Sequence, residues 1–456
     1  MQSKLNYDVA VIGGGPAGVV AAIASARSGA KTILVEQNGY LGGMLTMAGT
    51  GPMMTFHAGE KQVIFGIANE IVERLKSQGF SIGHMKDAVG YCGSTTPFDA
   101  EGLKLTLETM AREAGVTLLY HTVFVDCMTE NKKVKSARLF SKGGFMELEA
   151  DVFIDASADA DLATNAGITS VYGRESDNLA QPMTMNCRVY GVDRDKLVDY
   201  ISSNPEDMYE HTPADLKEYP RYGILGAYSL IKKGKAAGDF SVDRDIVLCF
   251  ETNNKGEFII NMTRVIKRSA VDPFGLTEAE VEGRQQAHET VRFLKKYIPG
   301  FENCTMMSTG PHIGIRESRK IDGVYKLTGN DLVNNAMFED AIAMGGYPID
   351  IHSPDGASMC HKFLKKNTWY SIPYRCLITK EIDNLLVTGR CISATHEACA
   401  AVRVTPILMA ISQGAGTAAA QAVADKTQVN QLDVARLRET LIKDGVFLEE
   451  YHGENQ

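Results

Sequence analysis

The stretch VIGGGPAGVVAA carries Gly13-x-Gly15-x-x-Gly18, the residue types and spacing of a phosphate cradle. Gly13 permits a sharp turn, Gly15 removes a Cβ where a pyrophosphate would approach the main chain, and Gly18 lets a helix pack closely on a strand. Pro16 and Ala17 stand between these glycines, at the mouth of the expected helix. Glu36 follows Gly18 by 18 residues, where a carboxylate can accept hydrogen bonds from both hydroxyls of a ribose. A simple NAD domain would continue with another alternating helix and strand. Here the Gly-rich loop QNGYLGGMLTMAGTG comes next, with Gln37, Gly42, Gly43, Met44 and Thr46 as candidate contacts. Such a loop lets the main chain lie along an extended ligand, which suits the ribityl–pyrophosphate stretch of FAD better than NAD.

Other residues could move protons. His396, in ATHEACAAVRVTP, and His352, in YPIDIHSPDG, could each exchange a proton while a hydride moves, since imidazole titrates near neutrality. Each could equally be a satisfied structural histidine. The RESR stretch offers Arg316, Glu317 and Arg319, and Arg403 stands just before a helix. Two such arginines could clamp a carboxylate, or an Arg–Glu network could hold a domain seam. His57 is a weaker candidate. No H-E-x-x-H, paired Cys/His set or G-x-S-x-G elbow occurs, so neither a metal nor a serine nucleophile is expected.

The elements that must position these residues are legible in outline. Tyr7 to Ile12 and Lys31 to Glu36 read as buried parallel strands flanking a helix of small residues that Gly29 caps. EKQVIFGIANEIVERLKSQG has helical periodicity through Ile64, Ile67, Ile71 and Leu75. A second helix should start at Asp99 and end at Gly115. The segment from Val116 to Ser157 alternates as strands with an Asn-containing turn, ending in the buried run Val152 to Asp155. Thr405 followed by Pro406 marks a helix start, a hydroxyl cap and then proline, running to about Ala424. Gly414 and Gly416 inside that helix imply close packing, with the pyrophosphate loop as one partner.

From about Gly173 to Met307 the pattern changes to antiparallel strands and one long amphipathic helix, TEAEVEGRQQAHETVRFLKKYIPG. The expected fold is α/β: a Rossmann-like FAD-binding domain, discontinuous in sequence (1–173 and 309–432), with an inserted α+β substrate domain (174–308) containing an antiparallel sheet. A C-terminal helix and a fraying polar tail occupy 433–456.

The 456 residues exceed one compact core, and 44% hydrophobic with 23% charged residues is ordinary for a globular protein. A net charge of −9 without a Lys/Arg run argues against nucleic acid. The apolar run from Ala394 to Ala424 is broken by His396, Glu397, Arg403 and Pro406, so no membrane span is expected. Nine irregularly spaced cysteines without a C-x-x-C fit reduced thiols in a cytoplasmic protein.

Several stretches together resemble the FAD-dependent oxidoreductases of the glutathione-reductase-like superfamily, in the branch related to fumarate reductase and succinate dehydrogenase flavoproteins. They are VIGGGPAG…VEQNGYLGGMLT, FIDASADADLATNAG, GIRESRKIDGVYKLTGND, YSIPYRCLI and NLLVTGRCISATHEACAAVRVTPILMAISQGAGTAAA. The resemblance implies bound FAD, with the main chain of Phe124 meeting adenine and the turn Ala156-Ser157-Ala158 with Asp161 beside the cofactor. It implies Gly389 and Arg390 as contacts at the last parallel strand, and the Thr405–Pro406 helix start facing the flavin pyrimidine. Where the family usually shows DATGDGD, this chain has DASADAD, with alanine at both glycine positions.

No second dinucleotide fingerprint occurs, since QGAGTAA lies inside the late helix. Electrons must therefore pass through a substrate, a soluble carrier or a partner protein; homo-oligomerisation is left open. The leading expectation is hydride transfer between flavin N5 and a small polar substrate, such as an alcohol carbon of a sugar or polyol. The alternative is reduction of an activated C=C bond, with Arg319 or Arg403 as proton donor. A non-redox flavoprotein such as a hydratase, or a subunit of an electron-transfer complex, are further readings.

Overall fold

The apolar run Val9–Ile12 is buried because its strand lies inside a mainly parallel sheet, flanked on both edges. In the computed structural model, which describes residues 3–356 and 359–449, Ser3–Ile12 pairs in parallel with Thr32–Val35 on one side and Gly144–Asp155 on the other. Thr117–Leu119 extends the sheet beyond Thr32–Val35. The Gly144–Asp155 strand has two functions. Its first half pairs antiparallel with Lys133–Ser141, which returns to Val123–Glu130 through the left-handed pair Asn131 and Lys132. Its last residues pair in parallel with Leu385–Val387, which joins the second part of the chain to the first.

Pro16–Arg27 and Thr405–Asp425 cover the sheet, and both helices are largely buried. They touch closely: a Cβ on Gly416 would lie 2.1 Å from the Ala21 carbonyl oxygen, and one on Gly414 would lie 2.9 Å from the Ile342 side chain. The late glycines therefore admit a neighbouring helix and strand, not the pyrophosphate loop. Thr405–Asp425 is also the one helix among the described residues long and apolar enough to cross a membrane, but 89% of its apolar window is buried inside the protein.

A second core lies in the insert. Its five-stranded antiparallel sheet runs Gly223–Gly226, Val247–Glu251, Glu257–Ile260, Cys187–Tyr190, Thr305–Thr309, packed on the Pro273–Tyr297 helix around Phe258, Phe293 and Phe301. That helix starts one turn before the Thr277 expected from its periodicity. Asp272 caps it by accepting from Gly275 N, and Pro273 opens it.

Two further expectations change. The first amphipathic helix spans Gly66–Ser77 only; Lys61–Gln62 is a short strand, Gly66 takes φ 62°, and Ile64 is buried ahead of the helix. Asp99 does cap the next helix, Ala100–Glu113, through Gly102 N. The C-terminal helix is Val434–Lys443, after which Val446 and Leu448 remain buried and Phe447 packs on Phe65 and Trp369. The tail is thus held through Leu448, because it offers apolar residues to the core; residues 450–456 lie outside the described residues.

Candidate active site

A cavity of about 440 Å³ opens where the parallel strands end, lined by Gly13 and Glu36, by Ala156 to Asp159, and by Gly389. Its first end is made of turns. Gly13 takes φ 106°, and a Cβ there would lie 2.4 Å from the Ala156 carbonyl oxygen. Gly15 begins the Pro16–Arg27 helix with no side-chain cap, and a Cβ on it would meet nothing within 4 Å. The helix's first N–H groups and positive dipole end therefore face open space, which is how a pyrophosphate is held. Glu36 closes the turn: Oε2 accepts from Gly14 N at 2.7 Å and Oε1 from Asn38 N at 2.8 Å.

Pro16, Ala17, Gln37, Gly43, Met44, Phe124, Ser157, Ala158, Asp161, Arg390 and Thr405 also line the cavity. Gly18, Gly42, Thr46 and Pro406 do not, and they act behind the lining. A Cβ on Gly18 would sit 1.8 Å from the Gly13 carbonyl oxygen, so this glycine serves the turn itself. Gly42 N donates to Gly14 O at 2.9 Å, and the Thr46 hydroxyl donates to Leu41 O at 2.7 Å, which fixes the second loop against the first. Pro406 is buried in the first turn of its helix. Thr405 is not the N-cap expected. Val404 occupies that position and Thr405 is the first helical residue, so no side-chain hydroxyl caps the helix.

Arg390 donates to Asp159 Oδ1 at 2.6 Å and to Ser318 Oγ at 3.1 Å, which anchors the DASADAD turn. The alanines in that turn keep a glycine-like backbone: φ is 69° at Ala158 and 56° at Ala160. Asp155, fully buried, accepts from Ser157 N and Ala163 N, and burial raises its pKa. Asp161 is pushed up to about 6 by burial and by Asp159 and Asp155.

These residues fit FAD. The open cradle at Gly15, the acid after the second strand, and the groove past Gly43 and Gly389 would hold its adenylate, pyrophosphate and ribityl parts. Bound there, FAD supplies two-electron redox chemistry.

The other end of the cavity is built from buried charge. Arg316 donates to Pro182 O at 2.8 Å, to the Thr184 hydroxyl and to Asn261 Oδ1 at 3.3 Å. Every one of those acceptors is neutral. Burial, with Arg403 and Arg244 nearby, pushes its pKa well below the ordinary arginine value. Arg403 reaches Gln181 Oε1 at 3.4 Å and Asp350 Oδ2 at 4.0 Å, and its Nε has no hydrogen-bond partner. Asp350 also meets His352 Nε2 at 3.3 Å and accepts from the Tyr347 hydroxyl at 3.4 Å. Burial alone would raise the Asp350 pKa, but His352, His361 and Arg403 around it hold the carboxyl well below its usual range. Burial, then Arg316, pushes His352 down to about 3, so its imidazole is neutral, and its Nδ1 has no hydrogen-bond partner.

Of the residues expected to do chemistry, His352 and Arg403 thus share this end with Arg316. His396 and Arg319 do not line the cavity. His396 Nδ1 lies 2.8 Å from Glu317 Oε2, and Glu317 also pairs with Lys320, so the ion-network reading of this segment describes them better. Arg319 binds the Asp159 carbonyl at 2.7 Å and pairs with Asp161, bracing the cofactor turn from behind. His57 bonds Ser94 Oγ at 2.8 Å, also away from the lining. Tyr347 and Asp350 were missed. Their signal was present: Asp350 and His352 are two apart on the Ile349–His352 strand, so both face one side. Among the described residues no group of three or more His, Cys, Asp or Glu is placed to hold a metal ion.

Comparison with known proteins agrees with the cofactor end. A digeranylgeranylglycerophospholipid reductase of Methanoculleus marisnigri is 30% identical over 175 residues, 37% of this chain and 43% of that protein. A thiamine thiazole synthase of Aeropyrum pernix is 31% identical over 134 residues, 29% of this chain and 44% of that one. The chain thus matches less than half the length of either relative. Among solved structures, a geranylgeranyl bacteriochlorophyll reductase-like protein of Thermoplasma acidophilum superposes with a TM-score of 0.51 at 16% identity, over 98% of this chain and 85% of that one, a likeness of fold. The family model described as FAD dependent oxidoreductase matches residues 8–441, nearly the whole chain. With its cradle, cofactor groove and charged inner end, this chain is a flavin-dependent redox enzyme and belongs to the FAD dependent oxidoreductase family.

Proposed function

We propose that this enzyme reduces a carbon–carbon double bond conjugated to an anionic group, a carboxylate above all. The observation that carries this reading is Arg316. It is a half-buried guanidinium lining the cavity with only neutral hydrogen-bond partners, beside Arg403, whose Nε has no hydrogen-bond partner. A cation held partly out of water with no acidic hydrogen-bond partner is costly, and an anionic ligand would relieve that cost. Of the carboxylates that line the cavity here, Asp350 faces Arg403, and Glu280 accepts from Ile313 N and pairs with Arg284, so neither hydrogen-bonds Arg316.

In this reading Arg316 holds the substrate carboxylate and draws electron density from the double bond, so that the carbon β to the carboxylate accepts a hydride. Arg403 gives the proton that completes the saturated product. Reduced FAD supplies the hydride equivalent. A soluble donor or partner protein restores it, because the described residues contain one dinucleotide cradle, at Gly13 to Gly18. The reductase name of the Methanoculleus marisnigri relative points in the same direction.

One observation favours a second reading, oxidation of an alcohol carbon. His352 is neutral, and its Nδ1, free of a hydrogen-bond partner, could accept a hydroxyl proton. Anaerobic mixing separates the two. Holoenzyme reduced with dithionite should regain its yellow flavin absorbance on addition of fumarate, crotonate or cinnamate. If these leave it reduced while polyols bleach the oxidised enzyme, the alcohol reading replaces the first.

A further inference from the structure

Reduction of a double bond consumes one proton per turnover, and the cavity must be resupplied from water. His361 stands on the far side of Asp350 from the cavity. The hairpin that pairs Ile349–His352 with Met359–Lys362 sets Asp350 opposite His361 in register. His361 Nδ1 lies 3.4 Å from Asp350 Oδ1 and 2.7 Å from the Tyr91 hydroxyl. His361 does not line the cavity, and its side chain is 24% exposed, whereas Asp350 is buried and lines it. Asp350 is thus the partition between a solvent-reaching imidazole on one side and Arg403, His352 and Tyr347 on the other.

We propose that His361, Asp350 and Arg403 form a proton relay between solvent and the cavity, with Tyr91 positioning the His361 ring. The proposal rests on the reductase reading for its direction; alcohol oxidation would run the same relay outward. When Arg403 has given its proton to substrate carbon it is neutral, and one of the cations that holds Asp350 ionised is gone. The carboxylate then takes the proton of His361 Nδ1 at Oδ1, the neutral carboxyl turns about its Cβ–Cγ bond and passes that same proton to Arg403, and His361 Nε2 takes a proton from solvent. One proton enters and one leaves, and no electrons move. The separations of 3.4 Å and 4.0 Å are those of a resting site, and such contacts shorten when charge shifts. The other groups facing this line are His352 and Tyr347 from the cavity side, Tyr91 and Phe363 around His361, and Arg316 and Arg244 at longer range.

The test uses the FAD-loaded enzyme and two readouts. The first needs no turnover: nitrogen NMR of labelled histidine. The ring-nitrogen shifts of His361 should move on Asp350→Asn, and unchanged shifts overturn the relay. The second is reoxidation of dithionite-reduced enzyme by crotonate. His361→Gln should slow it by about 10- to 100-fold and enlarge the solvent isotope effect. Added imidazole should restore much of the rate in His361→Ala, and Tyr91→Phe should lose less. Full-rate reoxidation in His361→Gln overturns the relay even if the NMR shifts move. Wild-type enzyme inert to every enoate overturns the substrate reading, and the relay then stands or falls by the NMR result.

Discussion

The two ends of the cavity hold their ligands by opposite means. The cofactor end is main chain and absence: Gly13, Gly15 and Gly389 offer turns and space, and its acid Glu36 is spent on the Gly14 amide as much as on any ligand. The inner end is side chain: the half-buried Arg316 and Arg403 crowd against the buried Asp350 and His352, and no carboxylate hydrogen-bonds Arg316. A groove for a common cofactor can be made from local geometry. Selection of one substrate needs charge held away from water, where it counts most.

If that division is right, each end can be broken alone. Gly15→Val adds bulk where a Cβ meets nothing within 4 Å, so the apoprotein should melt nearly as before while FAD affinity falls by about 100-fold or more. Arg316→Leu should do the reverse. It should retain FAD and keep or raise its melting temperature, because a half-buried charge with no acidic hydrogen-bond partner has gone, yet lose about 100-fold or more in reoxidation by enoates. Flavin absorbance after gel filtration, thermal melts and anaerobic reoxidation of both variants decide it. FAD loss in Arg316→Leu would mean the two ends are not separable.

The ends should also titrate with opposite sign. His352 has its folded pKa pushed down to about 3, so below the unfolded value near 6.5 the unfolded chain binds a proton that the folded chain refuses. Its contribution is full above that value and is lost as pH falls, at up to about 1.4 kcal/mol per pH unit. His352→Gln should flatten the acid limb of a urea-denaturation series of apoprotein between pH 6 and pH 4 by up to that slope. Asp161 runs the other way. Its folded pKa, raised to about 6, means the folded chain gains a proton first, so it favours folding as pH drops from 6 towards 4. Because its side chain is 47% exposed to the cavity, the effect of Asp161→Asn should be the smaller of the two, and of opposite sign.

The same division explains what could be read in the sequence. The cradle, Glu36, the strand at Val152 and the late helix lie in short runs whose spacing is set by one strand–helix–strand unit, so local pattern suffices. The inner end gathers Thr184, Arg316, Tyr347, Asp350 and Arg403 from stretches far apart in the chain. Their meeting depends on where the inserted sheet lands on the cofactor domain, which no local period encodes. His396 misled for the same reason: its place between the last strand and the late helix is real, but Glu317, distant in sequence, claims its ring. The Thr405–Pro406 start was misplaced by one residue, because a proline fits the second helical position as well as the first.

The smallest effect bears on how well the cofactor end keeps its geometry with the wrong residues. Ala158 and Ala160 sit in left-handed conformations that cost an L-residue roughly 1–2 kcal/mol each. Glycine would remove that cost and give back about 0.5–1 kcal/mol through the freer unfolded chain. Ala158, half-buried at the cavity wall, loses little packing on substitution, so Ala158→Gly should stabilise by about 0.5–1 kcal/mol. Ala160 is wholly buried; its methyl is worth about 0.8 kcal/mol, which offsets the relief and leaves Ala160→Gly near neutral. Chemical denaturation of the two apoprotein variants distinguishes strain from packing. Equal gains would show that the Ala160 methyl packs against nothing of value, and a loss at Ala158 would show that the turn needs its methyl to stay rigid for the phosphate that passes beside it.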